Sequence, residues 1–224
     1  GSNELDLYRM MSYQLGWHDQ NGENSNEPLP VRVLGQFVLS IANILFQNAE
    51  LASAYAAPIE LMHNFTLVHQ DVEEGNSERN KRPTVWWTWG PAQAINAGDG
   101  IHAIARLACL KLIESGRTPE HISILLNSVD TAVLKSCEGE FLDIQFQDKP
   151  YLTTEEYLQM TRLRSGSFFG CAASMGALSN GKLGKISVEA LNGYGEAIGV
   201  ARQLAFDHNI FWGSGIKDNI QHGR

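Results

Sequence analysis

Acidic side chains followed by basic ones make residues 69–84 the first place where this sequence could carry chemistry. Asp71, Glu73 and Glu74 come first, and Arg79 follows eight residues after Asp71. Carboxylate oxygens suit Mg²⁺, which usually accepts one or two of them together with substrate phosphates. This order of charges predicts a site for a polyphosphate that a metal ion bridges to the protein.

The helix-like apolar run just before these acids, residues 59–68, predicts that they lie on the last turn of a helix. Gln70 and Glu74 are four residues apart and therefore share a helix face, and Asp71 and Glu74 are three apart and adjoin. One turn of helix would then present two carboxylates and an amide to the same cation.

A second candidate acid lies on the last predicted helix. Gly199, Gln203 and Asp207 recur every four residues, so they share one face, and the glycine allows a neighbouring helix to approach closely. Two interpretations of Asp207 stay open at this point. It is either a second acidic half of a metal site or a solvated residue near a helix end.

Arg164 is the third candidate. Arg162 and Arg164 interrupt a stretch of small and apolar residues, where a buried guanidinium needs an anionic partner. That partner is either a phosphate, which a guanidinium can bind through two parallel hydrogen bonds, or an ion-paired acid such as Glu138, Glu140 or Asp143.

A polar stripe leads away from the acidic turn along the same predicted helix. His63, Thr66 and Gln70 are spaced three and four residues apart, so they share a face. Below a metal-diphosphate site this stripe would line a cavity. The alternative is that His63 is a hydrogen-bonded core histidine.

The pattern of the whole chain predicts an all-α fold, because alternating β-branched runs between turns are nearly absent. The predicted helices cover residues 5–15, 31–47, 49–72, 91–115, 118–146, 154–179 and 187–211. Pro58 either kinks the third of these or marks a helix start, residues 98–100 interrupt the fourth, and residues 76–89 form an exposed loop. Such helices form an antiparallel bundle whose sites are built from side chains that point to its centre.

Composition indicates one domain, residues 3–224, because 224 residues with 43 % hydrophobic content can bury a substantial core. A net charge of -8 argues against nucleic acid or an anionic membrane as a partner. No apolar run reaches the length of a membrane span. Three dispersed cysteines suit reduced thiols in the cytoplasm. Gly1 and Ser2 look like a cloning remnant, and the natural protein is expected to continue beyond Arg224.

These residues resemble the trans-isoprenyl diphosphate synthase, or polyprenyl synthetase, family from about residue 34 to 223. Residues 69–84 follow the family's His-Asp-Asp-x-x-Asp and Arg-Arg-Gly-Lys-Pro-Thr motifs in register, with Asp71 at the second aspartate, Glu74 at the last and Arg79 at the first arginine. Further segments that resemble family motifs are 97–99, 157–165 and 199–203. The resemblance implies an all-α bundle of the isoprenoid synthase type with a central active-site cavity, and a homodimer.

The resemblance also implies what the candidate residues do. Family members ionise an allylic diphosphate with Mg²⁺ held between two acidic motifs. By analogy Asp71, Glu74 and Asp207 would be catalytic metal ligands, and Arg164 would be catalytic and, with Arg79, would grip the substrate's diphosphate.

Three further positions would bind substrate by the same resemblance. Gln203 precedes the second acidic motif. Thr66 and Phe65, four and five residues before the first acidic motif, commonly form the floor of the pocket in this family. A bulky Phe65 favours an allylic prenyl diphosphate of roughly ten to twenty carbons.

Three departures from the family pattern bear on the reaction. Gln70 replaces the first aspartate, and the second acidic motif retains Asp207 alone. The basic Gly-Lys-Arg-x-Arg-Pro segment that holds the acceptor, isopentenyl diphosphate, reads here as residues 25–30 without any cation. Because each lost charge-assisted contact is worth about 1.5–3 kcal/mol, chain elongation is the activity most damaged.

The sequence therefore favours a Mg²⁺-dependent terpene synthase or cyclase, which ionises one diphosphate and needs no second. An alternative is a chain-elongating polyprenyl diphosphate synthase whose acceptor is held by other cations, such as Arg32 or Lys81. A second alternative is a non-catalytic subunit of an active synthase, since both acidic motifs are eroded.

Overall fold

The computed structural model describes residues 5–26, 29–181 and 184–212, except for the side chain of Leu51. Three of the sequence interpretations fall wholly or partly outside these ranges. They concern the cloning remnant at residues 1–2, the middle of the altered acceptor segment at residues 27–28, and the chain beyond residue 212.

Helices make up nearly all regular structure in the described part of the chain. The α-helices are α1 (Asp6–Gln14), α2 (Val33–Phe46), α3 (Ser53–Glu73), α4 (Val85–Trp89), α5 (Pro91–Lys111), α6 (Pro119–Phe146), α7 (Thr154–Thr161), α8 (Ser167–Leu178) and α9 (Lys185–Trp212). A 3₁₀ turn (Glu50–Ala52) precedes α3, a π-helical segment (Arg162–Gly166) joins α7 to α8, and a hairpin of β1 (Glu78–Arg79) and β2 (Arg82–Pro83) follows α3. The all-α prediction is confirmed.

The helix ends follow local sequence signals. Thr118 caps α6 by accepting a hydrogen bond from the backbone of His121, and Pro119 occupies the first helical position. Thr153 and Glu156 form a reciprocal capping box that starts α7. Pro58 lies inside α3, five residues after the helix begins, so it does not mark a helix start.

The main core lies where α2, α3, α6 and α8 pack together. Helix α8 is buried along its whole length, as its small and apolar residues predict. The largest fully buried apolar side chains of this core are Leu34, Tyr55, Ile59, Met62, Leu125 and Met175. A second apolar cluster joins α1 and α4 to α3 and α5. Within the described ranges, no helix combines the length and apolar character that crossing a membrane requires.

The predicted interruption of α5 at residues 98–100 is wrong, because the helix continues through both glycines. Their role is to make room for neighbouring side chains. A Cβ on Gly98 would lie 2.5 Å from the ring of His69, and one on Gly100 would lie 2.8 Å from Sδ of Met11. Close packing between helices therefore explains these glycines better than a helix break.

The prediction of an exposed loop at residues 76–89 is also wrong in part. Asn80 and Lys81 both have positive φ and form the two-residue turn of the hairpin, a geometry typical of a type I′ turn. Thr84 and Val85 are buried, and Trp86 Nε1 donates a hydrogen bond to the carbonyl of Asn76 at 2.7 Å. The segment is a folded cover over the end of α3.

Candidate active site

Arg164 lies at the centre of the largest charged cluster near the end of α3. Its Nε is 2.8 Å from Oε2 of Glu140, its Nη1 is 2.7 Å from Oδ2 of Asp143, and its Nη2 is 3.2 Å from Oε1 of Glu74. Glu74 follows the last residue of α3, whereas the other two acids lie on α6. We call Glu74, Glu140 and Asp143 the α3–α6 acidic group.

Close backbone packing places Arg164 among these acids. A Cβ on Gly139 would lie 2.5 Å from the backbone nitrogen of Arg164, so only glycine lets α6 approach the π-helical segment this closely. On the other side, a Cβ on Gly199 would lie 2.8 Å from the carbonyl oxygen of Ser165. The predicted close approach at Gly199 is confirmed, and π-helical turns of this kind occur often at functional sites.

The charges of this cluster shift one another's protonation. Burial raises the pKa of Glu140 to about 7, because desolvation together with the neighbouring acids outweighs the effect of Arg164. Burial alone would lower the pKa of Arg164, but Glu140, Asp143 and Glu74 raise it above its ordinary value. The arginine is therefore charged, and Glu140 changes protonation near neutral pH.

The α3–α6 acidic group fits a magnesium ion. Its three residues offer carboxylate oxygens that all lie within 4.8 Å of one another, and oxygen ligands of this type are those that Mg²⁺ accepts. The Oε1 atom of Glu140 is buried and has no hydrogen-bond partner, which leaves it free for a cation. When Glu140 is ionised, three carboxylates and one guanidinium carry a net charge of minus two. One Mg²⁺ ion balances this charge.

The predicted metal ligands are distributed differently. Of Asp71, Glu74 and Asp207, only Glu74 belongs to the α3–α6 acidic group. The sequence had offered Glu140 and Asp143 solely as ion-pair partners of Arg164, and that interpretation is confirmed. Their spacing of three residues on α6 was the available signal, since it puts both acids on one helix face.

Asp71 is held by the hairpin that follows α3. Its side chain is 2 % exposed, and Arg79 contacts its Oδ1 through Nε at 2.8 Å and Nη2 at 2.7 Å. Burial raises the pKa of Asp71 in spite of this arginine. Arg79 also donates to Oε1 of Gln70 at 3.3 Å. The hairpin thus clamps the last turn of α3 from one side.

The shared face of Gln70 and Glu74 is confirmed. Nε2 of Gln70 donates to Oε1 of Glu74 at 2.9 Å, and Nδ2 of Asn76 donates to Oε2 of Glu74 at 2.6 Å. A carboxylate in place of Gln70 would meet Glu74 with like charge, whereas the amide donates a hydrogen bond to it. The departure at Gln70 therefore orients Glu74.

Asp207 is held on α9 by two neutral donors. Its Oδ2 accepts a hydrogen bond from the hydroxyl of Tyr157, and its Oδ1 accepts one from Nε2 of Gln203 at 2.9 Å. Oε1 of Gln203 in turn accepts from the hydroxyl of Ser165 at 3.0 Å. Burial and the bond to Asp207 raise the pKa of Tyr157 to about 12, and Asp143 adds to this effect. Asp207 is thus an ordered residue, and Tyr157 is a site residue that the residue-by-residue reasoning missed.

The remaining predicted positions lie on the inner faces of α3. The ring of His63 packs edge-on against Phe168 at 5.8 Å, and desolvation lowers the pKa of His63 to about 4, as the core interpretation expects. Thr66 donates to the carbonyl of His63 at 2.8 Å. The ring of Phe65 packs between His69 and His102, with centroid distances of 4.7 and 5.1 Å.

Comparison with known proteins gives the same assignment from sequence and from structure. The family description Polyprenyl synthetase matches residues 31–211. Geranylgeranyl diphosphate synthase of Mycobacterium tuberculosis is 31 % identical over 208 residues, which is 92 % of this chain and 58 % of the relative. Geranylgeranyl diphosphate synthase of Saccharolobus solfataricus is 33 % identical over 173 residues, which is 76 % of this chain and 51 % of the relative.

Solved structures agree. A polyprenyl synthetase from Streptomyces coelicolor superposes with a TM-score of 0.82 at 29 % identity, covering 97 % of this chain and 63 % of that one. A geranylgeranyl pyrophosphate synthetase from Geoglobus acetivorans gives 0.79 at 32 % identity, with 93 % and 63 % covered. The chain spans somewhat more than half the length of these relatives. The predicted isoprenoid synthase fold is confirmed, and the chain belongs to the polyprenyl synthetase family.

Proposed function

We propose that this chain carries the allylic-diphosphate site of a chain-elongating prenyltransferase, which joins an allylic prenyl diphosphate to isopentenyl diphosphate. The observation that carries this proposal is the Arg164 guanidinium set among Glu74, Glu140 and Asp143 at the end of α3. The arrangement places a cation and a net negative charge side by side, which suits a magnesium-diphosphate ion pair. The relatives reported above are named as diphosphate synthases, and they support elongation better than the cyclisation expected from the sequence.

The residues divide the work of the site. The α3–α6 acidic group would hold Mg²⁺, with Asp207 completing the coordination from α9. When bound, the metal neutralises the negative charge that develops on the departing diphosphate. The three donor nitrogens of Arg164 each contact a carboxylate of this group. A guanidinium that exchanges a carboxylate for a phosphate keeps charge-assisted hydrogen bonds.

Arg79 and Asp71 support this arrangement from the hairpin side. The side chain of Arg79 is 28 % exposed while its partner Asp71 is buried, so part of the arginine side chain is accessible from solvent. That geometry suits the predicted contact between Arg79 and a diphosphate. Asp71 then orients the arginine as well as offering a carboxylate near the end of α3.

The acceptor diphosphate needs cations that residues 25–30 lack. Arg32 donates to the carbonyl of Leu15, which fixes its position beside α1. Lys81 is exposed in the hairpin turn, two residues after Arg79. We assign the acceptor contact to these two cations, and either substitution, Arg32→Ala or Lys81→Ala, is expected to raise KM for isopentenyl diphosphate more than KM for the allylic substrate.

We also propose that the protein acts as a homodimer. Helices α5 and α6 expose large apolar side chains to solvent, and patches of this kind often mark protein-protein contacts. The most exposed of them are Leu107, Leu134 and Phe141, at 56, 62 and 64 %. Sedimentation velocity of the full-length protein would show a dimer, and Leu134→Glu would shift it toward monomer.

The reaction is tested directly by product analysis. The full-length protein is incubated with Mg²⁺ and geranyl, farnesyl or geranylgeranyl diphosphate, with and without labelled isopentenyl diphosphate. The proposal expects label in a longer diphosphate, and Asp71→Asn should reduce its formation. A hydrocarbon or alcohol formed without isopentenyl diphosphate would instead show a terpene synthase. The absence of turnover with every substrate would favour a non-catalytic subunit.

A further inference from the structure

We propose that Tyr157 is a positioning residue that fixes the carboxylate of Asp207 in the orientation needed to bind a divalent cation. The inference rests on the proposed function in one respect, namely that Asp207 is a ligand of the cation that this site takes. It concerns a residue on α7, the helix that leads into the π-helical segment carrying Arg164. Its hydroxyl reaches across to α9, where it donates a hydrogen bond to Oδ2 of Asp207.

The geometry around Asp207 is that of a carboxylate locked from two directions. Tyr157 donates its hydroxyl to Oδ2, and Gln203 donates its amide to Oδ1 at 2.9 Å. The tyrosine comes from a different helix, while the glutamine lies one turn earlier on α9 itself. Two donors on two oxygens fix both the χ1 rotamer and the plane of the carboxylate, which a single hydrogen bond would leave free to rotate.

The same hydrogen bonds link Asp207 to the arginine at the centre of the site. Gln203 accepts at its Oε1 a hydrogen bond from Ser165, 3.0 Å away. Ser165 is the next residue after Arg164 on the π-helical segment. The chain of contacts therefore sets the register of α9 against the segment that carries Arg164.

Orientation matters more for Asp207 than for the other acids. Glu74, Glu140 and Asp143 lie close together, so the loss of one would still leave two carboxylates for the metal. The second acidic motif retains a single carboxylate, Asp207. A carboxylate has about four lone-pair positions, so two hydrogen bonds leave room for a metal ion. Partners that orient a metal ligand typically contribute about 10- to 100-fold in metal affinity.

The test measures metal binding without a prenyl substrate. Mn²⁺ is titrated into the full-length protein with saturating inorganic diphosphate, and free Mn²⁺ is read from its electron paramagnetic resonance signal. Tyr157→Phe, which removes only the hydroxyl, is expected to lower the affinity for the Mn²⁺ ion bound by Asp207 about 10-fold. Tyr194→Phe is the matched control, because Tyr194 lies on α9 with its side chain 52 % exposed. It should leave affinity unchanged.

A double-mutant cycle shows whether Tyr157 acts through Asp207. Asp207→Asn alone should weaken Mn²⁺ binding, and adding Tyr157→Phe to it should cause little further loss, because the hydroxyl no longer orients a ligand. Equal losses in both backgrounds, or full affinity in Tyr157→Phe, would overturn the inference. If Tyr157→Phe failed to fold, Tyr157→Met, which also removes the hydroxyl, would replace it, and unchanged affinity in that variant would likewise overturn the inference.

These outcomes are separable from those of the proposed function. Lack of isopentenyl-dependent product would refute chain elongation, yet the metal-binding cycle would still report on Tyr157 and Asp207. Conversely, if Tyr157→Phe bound Mn²⁺ as tightly as the wild type and still formed the longer diphosphate, the proposed function would stand and this inference would be wrong.

Discussion

Two regions of this molecule hold acidic side chains in different ways. In the α3–α6 acidic group, three carboxylates surround the Arg164 guanidinium, and the contacts are ionic. On α9, Asp207 is held by a phenol and an amide, both neutral. The first region is governed by charge and the second by orientation. The substitutions below test that difference, because ionic partners left unpaired in a partly buried site cost much more than neutral ones.

Removal of the central cation should have the largest effect. Arg164→Met leaves Glu74, Glu140 and Asp143 facing one another without a counter-charge, and breaking a buried ion pair typically destabilises by about 3–5 kcal/mol. Because Arg164 is 21 % exposed, the lower end of that range is expected. Urea unfolding at pH 8, above the pKa of about 7 of Glu140, would measure it.

Arg162→Met is the matched control for Arg164→Met. Arg162 lies in the same π-helical segment but is exposed, so its loss should change the free energy of unfolding by less than about 0.5 kcal/mol. Equal effects of the two substitutions would contradict the account of Arg164 as the counter-charge of this region.

A substitution that moves Arg164 without removing it should destabilise the protein less. Gly139→Ala would push α6 away from the backbone of Arg164, since its Cβ would meet that nitrogen at 2.5 Å. Overpacking of this kind costs about 1–3 kcal/mol. Gly193→Ala on α9 is the control, because nothing lies within 4 Å of its Cβ, and it should be neutral or stabilising. Thermal unfolding of both variants would decide, and a neutral Gly139→Ala would show that the close approach is not needed.

The pH dependence of the free energy of unfolding should test the α3–α6 acidic group further. Burial raises the pKa of Glu140 from 4.5 to about 7, so the folded state binds this proton more tightly than the unfolded state. The resulting stabilisation is complete below the unfolded pKa and is lost as pH rises toward the folded one. Glu140→Gln should reduce the fall in stability between pH 5 and 8 by about 2–3 kcal/mol, since that range covers about two units of the shift and one pKa unit corresponds to about 1.4 kcal/mol.

Urea unfolding of the wild type and of Glu140→Gln at several pH values isolates this residue from other buried acids such as Asp71 and Glu60, which both proteins retain. Parallel stability curves for the two proteins would show that Glu140 keeps an ordinary pKa.

Substitution on α9 should affect stability least. Asp207→Asn keeps an oxygen that can accept from one neutral partner, so the loss should be about 1 kcal/mol, the scale of a single hydrogen bond. Its effect on the free energy of Mn²⁺ binding should be much larger than its effect on the free energy of unfolding. Chemical unfolding and metal titration of the same preparation would show this, and a stability loss as large as that of Arg164→Met would contradict the contrast between the regions.

Sequence reasoning predicted most of the helices and the shared face of Gln70 and Glu74, and it offered the ion pairs of Arg164 as one of two interpretations. Each of these depends on spacing along one helix or on charge alone. It missed the continuity of α5, since the packing of Gly98 against His69 involves residues far apart in the chain. The contact between Tyr157 and Asp207 was missed for the same reason, because it joins residues 50 positions apart in the chain.

The hairpin at residues 78–83 was missed for a different reason. Its strands are two residues long, too short for an alternating pattern to appear. Lys81, with positive φ, stands where the family motif has glycine, which hides the turn. Local turn chemistry that departs from its usual residues cannot be recognised from the sequence alone.

The central claim is that the α3–α6 acidic group and Asp207 on α9 bind one magnesium-diphosphate group between them. A crystal structure of the full-length protein with Mg²⁺ and a non-hydrolysable allylic thiodiphosphate tests it most directly. The account predicts Mg²⁺ bound both to the α3–α6 acidic group and to Asp207, with Arg164 contacting the diphosphate. A diphosphate bound elsewhere, or Asp207 without any cation within coordination distance, would contradict it.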